Sequence, residues 1–276
     1  MGNKTEIKIE LPEAVNKVLD KPATTLGEKI SDLLEIIFGG ITYSKEKLEY
    51  KRSLNFELFK KELEERVNSI PDDKRTEPLE SIVGPALEAA KYRIDTEEFR
   101  KMFANLIASS LDSRKANFVH PAFVEIIKNL SPNDALAIHS LSFLRDSHII
   151  PIISVDESVM SIPNNSNHYC FLVEDFGFHE TNVILSSLLR SGLIEFNYVF
   201  NKDTNFQGFT FNDMERKFAK LRGDLAIGRN LDNPFKYRYG SINLTALGYE
   251  FAKVCVPTNY AELKRNKENK THKHEL

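Results

Sequence analysis

Residues 99–111 read Phe-Arg-Lys-Met-Phe-Ala-Asn-Leu-Ile-Ala-Ser-Ser-Leu, and this stretch decides the fold of the first half of the chain. Its apolar side chains recur every three or four residues, which is the spacing of one face of an α-helix. Glu97 and Glu98 stand at its start, where the helix dipole favours negative charge, and Asp95 is the predicted N-cap. The stripe predicts a helix that ends near Asp112 and packs inside a helical bundle.

Further helices are predicted on both sides of this stretch, from the same spacing and from the positions of proline. Proline breaks helix interiors, so Gly84-Pro85 predicts an interruption in the helix that begins near Glu77. The predicted helical segments are 26–41, 44–69, 77–94 with that break, 95–112, 120–130 and 132–146. They form a predicted helical domain over residues 26–146, preceded by a mobile arm at 1–25.

The second half changes to a mixed pattern. Strands are predicted at 149–155, 193–200 and 241–245, and helices at 179–191, 211–221 and 246–256. This order is typical of a winged helix-turn-helix: a helix, a short strand, a second helix, and then two strands that flank a long connecting segment. In that motif 179–191 is the recognition helix and 193–244 the wing. We therefore expect an α+β protein, mostly α, with a winged-helix-like domain at 147–260 and a polar, disordered tail at 261–276.

Composition excludes several classes of protein. The 276 residues carry a formal net charge of −3, and a pI near 6.2 argues against a chain coated all over by nucleic acid. Cys170 and Cys255 have no metal-ligand spacing and predict either two free, buried thiols or one disulfide. No metal site and no cofactor are predicted, because phosphate-binding and zinc-ligand motifs are absent from the sequence. Without a signal peptide or an integral membrane span, the predicted location is the cytoplasm.

The central block resembles the abortive infection alpha family. The resemblance rests on Gly-Pro-Ala-Leu-Glu-Ala-Ala-Lys-Tyr at 84–92, Met-Phe-Ala-Asn-Leu-Ile-Ala-Ser-Ser-Leu-Asp at 102–112, and His-Pro-Ala-Phe-Val-Glu-Ile-Ile at 120–127 followed by Leu-Ser-Pro at 130–132. It is strongest over residues 45–135. It implies a bacterial, cytosolic protein tied to phage resistance, and it brings no catalytic residues with it.

Two sets of residues are candidates for a functional site. Asp112 and His120 stand at a helix end and at the next helix start, and together they could serve a hydrolase. The structural alternative is that Asp112 ends a helix and His120 caps the next one. A basic stretch in the predicted wing suits nucleic-acid phosphates, although ordinary surface charge explains it equally. The candidate nucleic-acid-binding residues are Arg190, Arg216, Lys217, Lys220, Arg222, Lys236 and Arg238.

The leading hypothesis from the sequence is a non-enzymatic phage-defence protein that binds a phage or host component, either alone or as a homo-oligomer. Three alternatives stay open. They are a nucleic-acid-binding winged-helix regulator, a hydrolase or nuclease that uses Asp112 and His120, and a membrane-perturbing effector that acts through 26–41. The acidic residues on the polar face of 26–41 oppose the last, since anionic lipid repels them.

Overall fold

The structure is a computed structural model, and it describes residues 28–29, 32–34, 46–143, 150–155, 168–201, 204–206, 209–225 and 237–256. It confirms an α+β protein that is mostly α. The described residues form two compact units. The first runs to Pro132 and resumes at Lys253, and the second runs from Asn133 to Ala252. The predicted arm at 1–25 and the predicted tail at 261–276 lie outside the described residues.

The first unit is a bundle of helices around a central one. Its helices are α1 (Glu46–Asn68), α2 (Glu80–Ala90), α3 (Glu97–Ser110) and α4 (Ala122–Asn129), with 3-10 turns at Asp72–Lys74 and Ala116–Phe118. Helix α3 is the predicted stretch, and it packs against α1, α2 and α4. Its apolar stripe is buried, together with Phe59 of α1 and Phe123 of α4. Phe56 of α1 is only half-buried.

Two local predictions are wrong. Helix α2 runs without a break through Gly84-Pro85. Proline crowds the Cβ of the residue before it, and Gly84 has no Cβ, so this pair stays helical where another would not. The N-cap of α3 is Thr96 rather than Asp95, and the Thr96 hydroxyl donates to the Asp95 carboxylate instead of accepting from the helix. The first turn of α3 therefore depends on Glu97 and Glu98 and on its tertiary contacts.

The second unit combines helices with a small antiparallel sheet. Its helices are α5 (Pro132–Phe143), α6 (Leu172–Phe176), α7 (Phe178–Arg190), α8 (Phe211–Leu225) and α9 (Ala246–Cys255). Its strands are β1 (Ile150–Val155), β2 (His168–Tyr169), β3 (Ile194–Phe200), β4 (Asn205–Phe206), β5 (Phe209–Thr210) and β6 (Tyr237–Leu244). Strands β2, β1, β6 and β3 form one sheet in that order, and β4 pairs with β5. The last residues of α9, from Lys253, belong to the first unit.

Helices α6 and α7 meet at a single residue, Gly177, whose positive φ of 78° suits glycine. The five-residue helix α6 was not predicted from the sequence. The side chain of Asn182 fixes α7 to the sheet. Its Oδ1 accepts from the backbone N–H of His168 at 2.9 Å, and its Nδ2 donates to the His168 carbonyl at 3.0 Å. One amide side chain thus satisfies both backbone groups of a residue in β2.

Thr245 joins the start of α9 to the end of α7. Its hydroxyl donates to the Gly192 carbonyl at 2.5 Å and accepts from the Gly248 N–H at 2.9 Å, so it caps α9 in the usual way. Gly192, with φ of 69°, ends α7. Gly248 lies against the backbone of Leu193, where a Cβ would come within 1.9 Å of the carbonyl oxygen. The sequence Leu-Thr-x-x-Gly at 244–248 therefore encodes a close crossing of two chain segments.

The long excursion between β3 and β6 packs back onto the sheet. Phe211, Met214 and Phe218 of α8 are buried against Ile153 of β1 and Tyr169 of β2. The predicted helix at 211–221 is confirmed and extends to Leu225. Helix α8 therefore packs against β1 and β2 on one face of the sheet.

Replacing Gly248 by alanine tests the close crossing of α9 and the α7–β3 turn. The added methyl group would collide with a backbone oxygen that cannot move aside, so Gly248→Ala should lower the free energy of unfolding by several kcal/mol, beyond the roughly 1–3 kcal/mol of ordinary overpacking. Ala246→Gly, two residues away and exposed, is the control and should lower it by no more than about 1 kcal/mol. Chemical denaturation measures both, and equal effects would contradict the crossing.

Candidate functional site

Asp112 lies in a turn directly after α3 and is almost fully buried. Its carboxylate accepts three hydrogen bonds from Arg114: Oδ1 from the backbone N–H at 3.0 Å and from Nε at 2.8 Å, and Oδ2 from Nη2 at 2.6 Å. These hydrogen bonds from Arg114 hold the pKa of Asp112 below its ordinary value against the opposing effect of burial. The carboxylate is therefore ionised at neutral pH, and both of its oxygens are hydrogen-bonded to the Arg114 guanidinium.

The backbone around Asp112 is also paired. The Ser113 N–H donates to the Lys74 carbonyl at 2.8 Å, and the Thr76 N–H donates to the Leu111 carbonyl at 3.0 Å. This short antiparallel bridge joins the turn after α3 to the turn after α1. Asp112 thus shapes a turn that links two helix ends.

His120 is exposed and caps α4. Its Nδ1 accepts from the Ala122 N–H at 3.1 Å, and its ring lies 6.1 Å from the ring of Phe123. Within residues 46–143, which the structure describes, no hydrogen bond joins His120 to Asp112. The geometry matches the structural alternative stated for both residues.

A half-buried polar cluster lies between α1 and α3. It consists of Glu62 and Arg66 on α1 and Arg100 and Asn105 on α3. Burial raises the pKa of Glu62 and lowers the pKa of Arg66, although the opposite charges of the cluster resist both shifts. Glu62 lies 3.7 Å from Arg100 (Oε1 to Nε) and 4.0 Å from Arg66 (Oε2 to Nη1). The one sequence signal was the occurrence of Arg100 and Asn105 within the stretch at 99–111 that carries the apolar stripe.

This cluster holds the end of α9. Arg66 donates from Nε to the Asn105 Oδ1 at 2.5 Å, and Asn105 donates from Nδ2 to the Cys255 carbonyl at 3.0 Å. One turn further along α3, the Ser109 hydroxyl donates to the Val254 carbonyl at 3.3 Å. The last carbonyls of a helix have no partner within the helix, so these side chains supply what the end of α9 lacks. The cluster therefore acts as a C-terminal cap for α9.

The candidate nucleic-acid-binding residues are scattered. Arg190 is exposed at the end of α7. On α8, Arg216 pairs with Asp213 at 3.4 Å and Lys217 with Glu174 at 2.9 Å, so the charge of each is partly neutralised. Arg238 is exposed on β6, with its guanidinium 4.1 Å above the ring of Tyr198. Lys220 and Arg222 lie on the second half of α8, and Lys236 lies outside the described residues.

The two cysteines are free and buried, which confirms the first of the two alternatives for them. Burial raises the pKa of Cys170 to about 12 and also raises that of Cys255, so neither thiol is a ready nucleophile. Among the described residues, no group of three or more His, Cys, Asp or Glu side chains is arranged to hold a metal ion.

Comparison with known families decides the relationship. The sequence model described as abortive infection alpha matches residues 51–255, which is most of the chain. The chain belongs to the abortive infection alpha family. The match runs through both units, so the family includes the sheet-containing half as well as the helical motifs at 84–132. No curated protein and no solved structure matches the chain.

Replacing Asn105 by alanine tests the structural role of the family motif at 102–112. The change leaves the Cys255 carbonyl and Nε of Arg66 without their partner, so Asn105→Ala should lower the free energy of unfolding by about 1–3 kcal/mol. Asn129→Ala is the matched control, because Asn129 also donates to a backbone carbonyl, but at an exposed position. The control should lose less than about 1 kcal/mol. Similar losses in the two variants would contradict a role for Asn105 in anchoring α9.

Acid denaturation tests the charge of Asp112. The folded-state pKa lies below the unfolded one, so the stabilisation by Asp112 is complete above about pH 4 and is lost as the pH falls through the folded-state pKa. Asp112→Asn should therefore be less stable than the wild type at neutral pH, and the difference should shrink below about pH 4. A stability difference that is constant from neutral to acid pH would show that the charge of Asp112 has no role.

Proposed function

We propose that this member of the abortive infection alpha family is a bacterial, cytoplasmic phage-defence protein that acts by binding a phage or host component, without catalysis of its own. Family membership supports the defence role. The observation that carries the mechanism is the use made of the polar residues in the family motifs. Asn105 and Ser109 bind backbone carbonyls of α9, Asp112 binds Arg114, and His120 caps α4. These contacts support a structural role for the motif, and they leave recognition to the surface of the protein.

We infer that the second unit is a winged helix. Support comes from the chain order α5, β1, α6, α7, β3 and β6, and from the position of β6 between β1 and β3 in the sheet. The single-residue turn at Gly177 supports a helix-turn-helix made by α6 and α7. Winged helices serve protein contacts as well as nucleic-acid contacts, so the fold alone favours neither partner.

The second candidate function is nucleic-acid binding through this unit. The exposure of Arg190, Arg216 and Arg238 favours it. Against it, the exposed residues of α6 include Glu174 and Asp175, which repel phosphate, and Glu174 already engages Lys217. Labelled single-stranded and double-stranded oligonucleotides distinguish the two functions. Binding that weakens steeply with salt and is lost on charge reversal of Arg216, Lys217 and Lys220 would favour the nucleic-acid function.

The membrane-perturbing alternative concerns residues 26–41, of which 28–29 and 32–34 are described. Leu33 and Leu34 are buried, at 0% and 1% exposure, and Lys29 lies 3.8 Å from Glu77. These two leucines are buried in the protein, so they are not available to insert into lipid. Within the described part of the chain, no helix is both long and apolar enough to cross a membrane.

Phage plating tests the defence role and the absence of catalysis together. Cells that express the wild-type protein should plate at least one phage with reduced efficiency relative to cells without it. His120→Ala should keep that protection, because His120 contributes a helix cap and no reactive group. The purified variant should still unfold in a single transition close to that of the wild type, which shows that it is folded.

Two outcomes would contradict the proposal. Unchanged plaque numbers across a diverse set of phages would remove the defence role. Protection that disappears in a folded His120→Ala protein would point instead to the hydrolase or nuclease alternative.

A further inference from the structure

The outward side of α7 carries a stripe of exposed residues with few charges. His179, Val183, Ser186 and Arg190 follow one another at intervals of four, three and four residues, which places them on one face of the helix. All four are exposed, and Val183 is 50% exposed. Its neighbours along the helix, Ile184 and Leu185, are buried in the second unit. The helix is thus held firmly on one side and presents an aliphatic side chain at the middle of the other.

The two ends of this stripe carry opposite charge. Glu174 and Asp175 are exposed on α6, immediately before α7 begins, and Arg190 is exposed in the last turn of α7. Lys217 offsets Glu174 through an ion pair at 2.9 Å, whereas Asp175 and Arg190 have no ion pair among the described contacts. The surface is therefore acidic at one end, aliphatic in the middle and basic at the other. Two copies of such a surface are complementary when one is rotated by 180° relative to the other.

We propose that this surface pairs with a second copy of the chain, with two α7 helices antiparallel about a two-fold axis at Val183. A two-fold interface uses the same patch on both subunits, and this places Val183 opposite its own copy. Arg190 lies seven residues away, about 10 Å along the helix, which is just beyond the first residue of the other α7, Phe178. Arg190 then faces the turn that joins α6 to α7 in the other copy, where Asp175 lies two residues before Gly177. The antiparallel arrangement is also favoured because each helix dipole places its positive end near the negative end of the other.

Each part of the patch has a distinct role in this pairing. The two valines exclude water at the axis, and the two Arg190–Asp175 pairs set the direction and register of the helices. Exposed ion pairs contribute little affinity but determine which arrangement is favoured. Nucleic acid fits the surface less well, because phosphate would meet Glu174 and Asp175 at one end. A dimer formed in this way covers the predicted recognition helix.

Disulfide formation across the axis tests the pairing, because a residue on a two-fold axis meets itself. Val183→Cys should form a covalent dimer rapidly under diamide, which oxidises two thiols to a disulfide and takes up their hydrogens. Cys170 and Cys255 are buried and give a low background. Val199→Cys is the matched control, since Val199 is 71% exposed on β3 and lies outside the patch. It should react at least about tenfold more slowly.

Charge exchange then tests the register. In the Val183→Cys protein, Arg190→Glu should slow dimer formation, and adding Asp175→Arg should restore it, because the pair is re-formed with its charges reversed. Sedimentation of the wild-type chain should show a dimer that dissociates on dilution. The pairing is wrong if the wild type stays monomeric at all concentrations, if the two cysteine variants react equally fast, or if the exchanged pair fails to restore dimer formation. None of these outcomes depends on phage protection.

Discussion

The structure of the first unit depends on the burial of one helix. Helix α3 packs against α1, α2 and α4, and its apolar side chains fill the space between them. A helix surrounded in this way also buries polar groups, and each of those needs a partner within the protein. Arg100 reaches the Ile94 carbonyl and approaches Glu62, Asn105 joins Arg66 to the end of α9, and Ser109 binds the next carbonyl. These contacts tie α3 to α1 and to the end of α9, although Nε of Arg100 approaches Glu62 without a hydrogen bond.

The same requirement accounts for the polar residues of the motif at 102–112. Asn, Ser and Asp are residues that hydrolases use, and here they stand close together on one helix and its following turn. Their hydrogen bonds run to backbone carbonyls and to Arg114 rather than to one another. Such a pattern in a sequence indicates partnered polar groups as readily as chemistry, so the residue types alone do not identify a catalytic site.

Much of the fold could be predicted from periodicity, and most of the site could not. The apolar stripe at intervals of three and four residues predicted α3 correctly, and the proline at its start predicted α5 correctly. Both signals are local, because the stripe reports one buried helix face and proline fixes its own φ angle. The break at Gly84-Pro85 was predicted wrongly, because the missing Cβ of Gly84 removes one of the two clashes by which proline disfavours a helix. Asn105 depends on Cys255, 150 positions away in the sequence, and no local pattern reveals such a partner. The roles of Thr245 and Gly248 were hidden for the same reason, since both face the Gly192–Leu193 turn.

Native-state hydrogen exchange measures the central claim most directly, because it reports which segments open together. If α3 is the helix on which the first unit depends, the amides of α3 and those at the end of α9 should exchange only through unfolding of the whole unit. They should then share the highest protection, and that protection should fall equally in both segments as denaturant is added. Rapid exchange at residues 251–255 while α3 stays protected would show that α3 does not hold the end of α9.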